Sequence, residues 1–160
     1  MTDFGALIGT LVGREVEFIV IGGMAATAHG SAHVTLDLDI VYRRTRENIE
    51  RLANALAPFD PYLRGAPPGL PFEFDPETIG RGLNFTLVTT LGDLDLVGEA
   101  TGNGTYDALL AHTEVFEVFA HACRFVDLET LIHLKRAAGR PKDLERIAEL
   151  EALSEEKAKR

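Results

Sequence analysis

The sequence predicts an α+β fold, in which strands and helices alternate along the chain and a pair of helices ends it. Three observations lead to this prediction. Residues 16–21 (V-E-F-I-V-I) are a run of β-branched and aromatic side chains that is typical of a buried strand. Residues 35–41 alternate between apolar and polar side chains, as a strand with one buried face does. Residues 128–157 carry apolar side chains at helical spacing, interrupted at Gly139.

Length and composition indicate one domain. The chain has 160 residues, of which 46% are hydrophobic and 26% are charged, and a chain of this length buries roughly 70% of its unfolded surface around a single core. We therefore expect one domain over residues 1–160, with a core over about 16–126 and terminal helices over about 128–157. The lone Cys123 excludes an internal disulfide and argues against a structural zinc site.

The sequence contains no signal for a membrane. No apolar run reaches the roughly 18 residues that a membrane span needs. The first residues, M-T-D-F, lack the basic and then apolar layout of a signal peptide. We therefore expect a cytoplasmic protein that does not bind membranes.

Charge is unevenly distributed along the chain. The formal net charge is -9, which disfavours a protein that holds nucleic acid by backbone charge alone. Residues 1–134 contain 8 basic and 19 acidic residues, whereas residues 135–160 contain 8 basic and 6 acidic residues. A polyanion would therefore contact the C-terminal segment; the alternative is that this segment is only a solvated helical face.

The first third of the chain is predicted to contain three helices and two strands. In order, these are a helix over 4–13, a strand over 16–21, a short helix over 24–29, a strand over 35–41 and a helix over 45–57. Gly22-Gly23 ends the first strand and Gly30-Ser31 closes the short helix. The second strand would place Leu36, with Leu38 and Ile40, on its apolar face. Thr45 is the predicted N-cap of the third helix.

The middle of the chain is rich in proline. Six of the seven prolines lie between Pro58 and Pro76, which predicts a long loop with an extended piece at 62–63. Its aromatic residues either pin the loop onto the core or stack on a base or an acceptor. The remaining predicted elements are strands over 83–90 and 93–97, helical turns over 105–111, strands over 115–119 and 123–126, and helices over 128–138 and 141–157.

Acidic residues on two predicted strands point to chemistry. Asp37-Leu38-Asp39 follows the Gly22-Gly23 turn, and Asp93-Leu94-Asp95 lies on a later strand. Carboxylates at i and i+2 of a strand point to the same side, about 6.6 Å apart at the backbone. Two unit charges ~4 Å apart repel by ~4 kcal/mol at an effective dielectric near 20, so a cation is expected there, and Mg²⁺ prefers oxygen ligands. The alternative is that these carboxylates are solvated or paired with Arg43 and Arg44.

The glycines fit the same chemistry. Two divalent ions ~3.5 to 4 Å apart activate an attacking hydroxyl and stabilise an in-line displacement at phosphorus. Without side chains, Gly22-Gly23 lets the backbone approach a phosphate, and the N–H groups that follow are donors for it.

These motifs resemble the nucleotidyltransferase superfamily typified by DNA polymerase beta. Its signature, an apolar residue, two small residues, a spacer and Asp-x-Asp, is matched by Ile21-Gly22-Gly23, thirteen residues and Asp37-Leu38-Asp39. Together with this signature, the segment K-R-A-A-G-R-P-K-D from Lys135 to Asp143 is similar to the AbiEii-type toxins of bacterial toxin-antitoxin systems. The resemblance covers residues from about 16 to 150.

The resemblance implies a small nucleotidyltransferase fold with a mixed β-sheet, flanking helices and a C-terminal helical pair. It also implies catalytic, metal-binding residues (Asp37, Asp39 and Asp95, holding Mg²⁺ or Mn²⁺) and nucleotide-binding residues (Gly22, Gly23, Thr35, Lys135 and Lys142). Asp95 is preferred to Asp93 because Asp93 adjoins the Gly92 turn. Many relatives carry basic residues where this chain has His33 and Leu36.

The implied activity is the transfer of a nucleoside monophosphate from a nucleoside triphosphate to a hydroxyl group of a transfer RNA or a protein. The protein would then be a toxin with an antitoxin as its partner. Two alternatives are a non-catalytic nucleotide- or partner-binding module with the same fold and a nucleotidyltransferase that modifies small molecules such as antibiotics.

Overall fold

A mixed, seven-stranded β-sheet organises residues 1–159, the part of the chain that this computed structural model describes. Arg160, which the predicted domain includes, lies outside the described residues. The strands are β1 (Phe18–Ile21), β2 (Asp37–Tyr42), β3 (Tyr62–Leu63), β4 (Phe85–Thr89), β5 (Gly92–Val97), β6 (Glu99–Ala100), β7 (Gly104–Thr105), β8 (Thr113–Val118) and β9 (His121–Val126). The α-helices are α1 (Phe4–Gly13), α2 (Gly22–Ala28), α3 (Arg46–Leu56), α4 (Pro76–Arg81), α5 (Tyr106–Leu109), α6 (Leu128–Ala138) and α7 (Pro141–Ala158).

The strand order in the large sheet is β3-β4-β5-β2-β1-β9-β8. Strands β4 and β5 form one antiparallel hairpin, and β8 and β9 form another. Between them, β2 runs antiparallel to β1 and parallel to β5, while β1 runs parallel to β9. Strands β6 and β7 form a separate two-stranded ribbon. The predicted α+β class with a mixed sheet and flanking helices is confirmed.

The sheet buries one set of alternating side chains and leaves the other set to form a site. Leu38 and Ile40 of β2 and Leu94 and Leu96 of β5 are fully buried; burying a side chain of this size contributes roughly 1.5–3 kcal/mol each. Because side chains alternate along a strand, the aspartates between these residues lie on the opposite face. The hydrophobic alternation of β2 and β5 therefore decides where the acidic side chains point.

Most predicted elements are present, with shifts at their ends. Thr45 is the N-cap of α3 and accepts a hydrogen bond from the backbone N–H of Asn48, as predicted. The short helix begins at Gly22 rather than at residue 24. Strand β2 begins at Asp37, and Leu36, predicted to face the core, is 72% exposed. The reason is that the pairing of β2 begins at Asp37, opposite Asp93 of β5, so Leu36 lies in the loop that precedes the strand.

The proline-rich segment is held to the sheet by aromatic side chains. Tyr62, Phe72, Phe74 and Phe85 form a chain of ring contacts with centroid distances of 6.0–6.5 Å, and such pairs stabilise beyond the area they bury. These rings pin the segment onto β4. The segment ends in α4, a helix that was not predicted, although Asp75 as N-cap and Pro76 in the first turn are typical helix-start residues.

Across residues 1–159, no helix combines the length and apolar character that crossing a bilayer requires.

Candidate active site

The turn after β1 lies directly against one of the acidic side chains. Gly22 has a φ of +66°, a conformation that favours glycine, and a Cβ atom built there would lie 2.1 Å from Oδ2 of Asp39. A Cβ atom on Gly23 would likewise lie 2.6 Å from Oγ1 of Thr35. The two glycines therefore allow α2 to begin beside the Asp39 carboxylate.

The pairing of β2 with β5 brings the acidic residues together. The parallel register places Asp37 opposite Asp93 and Asp39 opposite Asp95. One carboxylate oxygen from each of Asp37, Asp39 and Asp95 lies within 4.8 Å of the other two. Oxygens bound to one Mg²⁺ lie ~2.1 Å from the ion and thus up to ~4.2 Å apart. The distances between the three carboxylate oxygens are therefore close to those between the ligands of one metal ion.

Burial and neighbouring carboxylates raise the pKa values of Asp39 and Asp37. Burial raises the pKa of Asp39 to about 8, with further contributions from a hydrogen bond with Asp95 and from the charges of Asp37 and Asp95; the positive charge of Lys135 opposes them. The pKa of Asp37 is also raised, by burial and then by Asp95, and is lowered in part by Arg64. The site therefore disfavours the ionised forms of Asp37 and Asp39 unless a cation is bound.

The donor set fits a hard divalent cation. All three candidate ligands are carboxylates, which suit Mg²⁺ and Mn²⁺. Oδ1 of Asp95 is buried and has no hydrogen-bond partner among the described residues, although Nη2 of Arg64 lies 2.9 Å away in an ion pair. A buried carboxylate oxygen left without a hydrogen bond is costly, and a cation between the carboxylates would remove that cost.

Arg64 is a site residue that the sequence analysis did not identify. Its guanidinium lies 2.9 Å from Asp95, 3.5 Å from Asp93 and 3.7 Å from Asp37. The two arginines that the sequence suggested as partners of these carboxylates bind other groups. Arg43 pairs with Glu17 and Asp107. Arg44 donates hydrogen bonds to the carbonyls of Ile79 and Gly80.

A weak signal for Arg64 was present in the sequence. It is the only basic residue between Arg51 and Arg81. It also directly follows the extended piece at 62–63, which pairs with β4 beside β5.

The acidic cluster opens into a cavity of about 610 Å³, within the range usual for small-molecule sites. All the site residues predicted from the sequence line this cavity: Gly22, Gly23, Thr35, Asp37, Asp39, Asp95, Lys135 and Lys142. The opposite wall comes from the junction between α6 and α7 and is basic, with Lys135, Arg140, Lys142 and Arg146. The cavity thus has an acidic wall and a basic wall.

Asp143 organises the basic wall. It is buried and accepts hydrogen bonds from Nε and Nη2 of Arg140 at 2.6 and 3.2 Å, while Nζ of Lys135 lies 3.8 Å from its Oδ1. Burial raises the pKa of Asp143, but the hydrogen bond from Arg140 and the charges of Arg140 and Lys135 outweigh burial and lower it. Burial also lowers the pKa of Lys135, against the charge of Asp143.

The loop before β2 forms the rim of the cavity. Oγ1 of Thr35 donates to the backbone carbonyl of Asp37, which ties the rim to the acidic strand. Val34 and Leu36 line the cavity and are 81% and 72% exposed. His33 lies near Glu149 of α7, with its Nε2 3.8 Å from a carboxylate oxygen.

Comparison with known proteins supports the fold. No protein-family model matches the sequence. No curated protein matches it. In structure, the chain is similar to a protein from Thermotoga maritima described as a "putative nucleotidyltransferase", with a TM-score of 0.51 and 15% sequence identity over 96% of this chain and 89% of that chain. At this identity the similarity shows a shared fold.

Proposed function

We propose that this protein is a metal-dependent nucleotidyltransferase that transfers a nucleoside monophosphate from a nucleoside triphosphate to a hydroxyl group. The observation that carries the proposal is the cavity with two walls of opposite charge. Three carboxylates that fit a divalent cation face basic side chains that fit phosphates. The fold shared with the Thermotoga maritima protein agrees with this reading.

Asp37, Asp39 and Asp95 are the residues that would hold Mg²⁺ or Mn²⁺. When bound there, the metal would activate the attacking hydroxyl and stabilise the charge that develops at phosphorus. The parallel register of β2 and β5 holds the Asp39 and Asp95 backbones opposite each other. Because both residues lie inside strands, their side chains are positioned before substrate arrives.

The basic wall would bind the triphosphate. Lys135 is largely buried, with 11% of its side chain exposed, and is held by Asp143, so its ammonium group has little freedom. Arg140 and Lys142 lie beside it on the same wall. Gly22, Gly23 and Thr35 line the cavity, and the absence of two side chains lets the backbone lie directly against the Asp39 and Thr35 side chains.

In the proposed reaction, the acceptor hydroxyl oxygen forms a bond to the α-phosphorus, and the bond from that phosphorus to the leaving pyrophosphate oxygen breaks. The hydroxyl proton passes to Asp95, which lies inside the acidic cluster and whose Oδ1 has no hydrogen-bond partner among residues 1–159. The products are pyrophosphate and an acceptor that carries the nucleoside monophosphate.

For the acceptor we propose a transfer RNA end or a protein, and for the biological role a cytoplasmic toxin with an antitoxin partner. The support is the resemblance of the segment from Lys135 to Asp143 to the AbiEii-type toxins. Four of its five charged residues, Lys135, Arg140, Lys142 and Asp143, line the cavity. The surplus of positive charge in residues 135–160 supports this choice, because basic residues attract the phosphates of an RNA.

The experiment is a transfer assay with α-phosphate-labelled nucleoside triphosphates, Mg²⁺ or Mn²⁺, and RNA, protein or aminoglycoside acceptors. We expect label on RNA or protein with the wild type and at least a 100-fold loss with Asp39→Asn. Asp60→Asn, the same substitution at an exposed position outside the cavity, is the matched control. Label on the aminoglycoside alone would favour the small-molecule enzyme. Nucleotide binding without any transfer would favour the non-catalytic module.

A further inference from the structure

Arg64 places a permanent positive charge on the acidic cluster. Its Nη2 lies 2.9 Å from Oδ1 of Asp95, and its Nη1 lies 3.7 Å from Oδ2 of Asp37. Both carboxylates belong to the candidate metal-ligand set. A guanidinium does not lose its proton in proteins, so this charge faces the same carboxylates that a divalent cation would bind.

Among residues 1–159, the Arg64 side chain makes two contacts shorter than 3 Å. Nη2 donates to the carbonyl of Leu87 at 2.7 Å and lies 2.9 Å from Asp95. The contacts with Asp37 and Asp93 are longer than 3.4 Å, and Nε is buried without a hydrogen-bond partner among the described residues. The guanidinium is therefore an incomplete substitute for a metal ion, because it neutralises the cluster without satisfying all of its oxygens.

The Arg64 backbone, by contrast, is fixed. Its N–H donates to the carbonyl of Thr86 at 2.9 Å, and the adjacent residues Tyr62 and Leu63 pair with β4. Arg64 approaches the cluster from the β4 side, whereas Lys135 and Arg140 lie on the cavity wall. A change in the position of the guanidinium therefore requires rotation of the side chain only and no movement of the sheet.

We propose that Arg64 is an internal cation that competes with divalent metal for Asp37 and Asp95. In the protein without nucleotide, the guanidinium weakens metal binding at the cluster. When a triphosphate is present, its own negative charges offset the guanidinium and the metal binds together with the nucleotide. This inference rests on the proposed function and adds to it the order in which metal and nucleotide enter the site.

The test is Mn²⁺ binding in the absence of nucleotide, measured from the electron paramagnetic resonance signal of free Mn²⁺. We expect Arg64→Gln to bind Mn²⁺ at least 10-fold more tightly than the wild type, and Arg64→Lys to lie between them. Arg46→Gln makes the same charge change on an exposed residue of α3 that pairs with Glu50, and its affinity should equal that of the wild type. Equal or weaker binding by Arg64→Gln would overturn the proposal.

A second measurement follows displacement in the wild-type protein and uses a variant only for assignment. The side-chain NMR signal of Arg64, assigned by its absence from Arg64→Lys, should lose its protection from exchange when diamagnetic Mg²⁺ is added to saturation to the metal-free protein. An unchanged signal would contradict displacement. The two proposals can fail separately. If Arg64→Gln leaves the Mn²⁺ affinity of an active enzyme unchanged, only the role of Arg64 is rejected. If the Mn²⁺ affinity changes but the protein has no transfer activity, only the transferase proposal is rejected.

Discussion

The backbone of Gly22 lies so close to the Asp39 carboxylate that a Cβ atom at position 22 would approach Oδ2 to 2.1 Å. The turn that ends β1 and the acidic residue on β2 are therefore parts of one arrangement. This relationship explains in physical terms why a glycine pair and an Asp-x-Asp pair occur together in this sequence: the carboxylate can face the start of α2 only if no side chain stands between them.

Gly22→Ala is expected to destabilise the protein by about 2–4 kcal/mol, because the new methyl group overlaps Asp39 and the φ of +66° is unfavourable for alanine. Gly13→Ala is the matched control, since a Cβ atom there has no neighbour within 4 Å and alanine favours a helix by roughly 0.5–1 kcal/mol. Urea unfolding measures both. Equal stabilities of the two variants would contradict the close approach at Gly22.

The features that could be predicted from the sequence are those determined by residues close together along the chain. Asp37-Leu38-Asp39 could be placed on a strand because its alternation is visible within seven residues. The boundary between the two C-terminal helices could be predicted because Gly139 follows the end of α6 and Pro141 begins α7. The resemblance to a known family added the choice of Asp95.

The features that were missed depend on distant parts of the chain. The register that sets Asp39 opposite Asp95 joins two residues that are 56 positions apart in the sequence, and no local pattern encodes it. Arg64 reaches the cluster because β3 pairs with β4 at the sheet edge, inside a segment whose prolines predicted only a loop. Leu36 fits the alternation of β2 but precedes Asp37, where the pairing with β5 begins, so it is exposed.

Asp39→Asn is expected to raise the stability of the protein without divalent ions by about 1–3 kcal/mol at pH 7. Burial raises the pKa of Asp39 to about 8, so folding at pH 7 must either protonate this carboxylate or bury its charge, and asparagine avoids both. Excess Mg²⁺ should raise the Tm of the wild type and leave that of Asp39→Asn nearly unchanged. Thermal unfolding with and without Mg²⁺ measures this. A variant that is less stable than the wild type in chelator would show that the carboxylates are already balanced.

Asp143→Asn is expected to cost about 2 kcal/mol at pH 7, since it removes a buried negative charge that binds Arg140 and lies near Lys135. The folded protein lowers the pKa of Asp143 below its ordinary value of 3.8. The stabilisation is therefore fully present above about pH 4 and is lost as the pH falls through the lowered pKa.

The difference in free energy of unfolding between Asp143→Asn and the wild type should accordingly shrink below pH 4. Glu145→Gln changes an exposed carboxylate on the same helix and should have little effect at any pH. Urea titrations between pH 3 and pH 7 measure the three proteins. A difference that stays constant over this range would show that Asp143 stabilises by packing rather than by charge.

Lys135→Met is expected to weaken triphosphate binding about 10- to 100-fold, because a hydrogen bond between charged groups contributes about 1.5–3 kcal/mol and Lys135 lies on the basic wall with little side-chain freedom. Methionine keeps most of the side chain's length and apolar contacts. Lys159→Met, in the exposed final turn, is the matched control. Calorimetric titration with a non-hydrolysable nucleoside triphosphate, without an acceptor, separates binding from transfer. Unchanged affinity in Lys135→Met would place the triphosphate away from this wall and leave Arg140 and Lys142 without the role proposed for them.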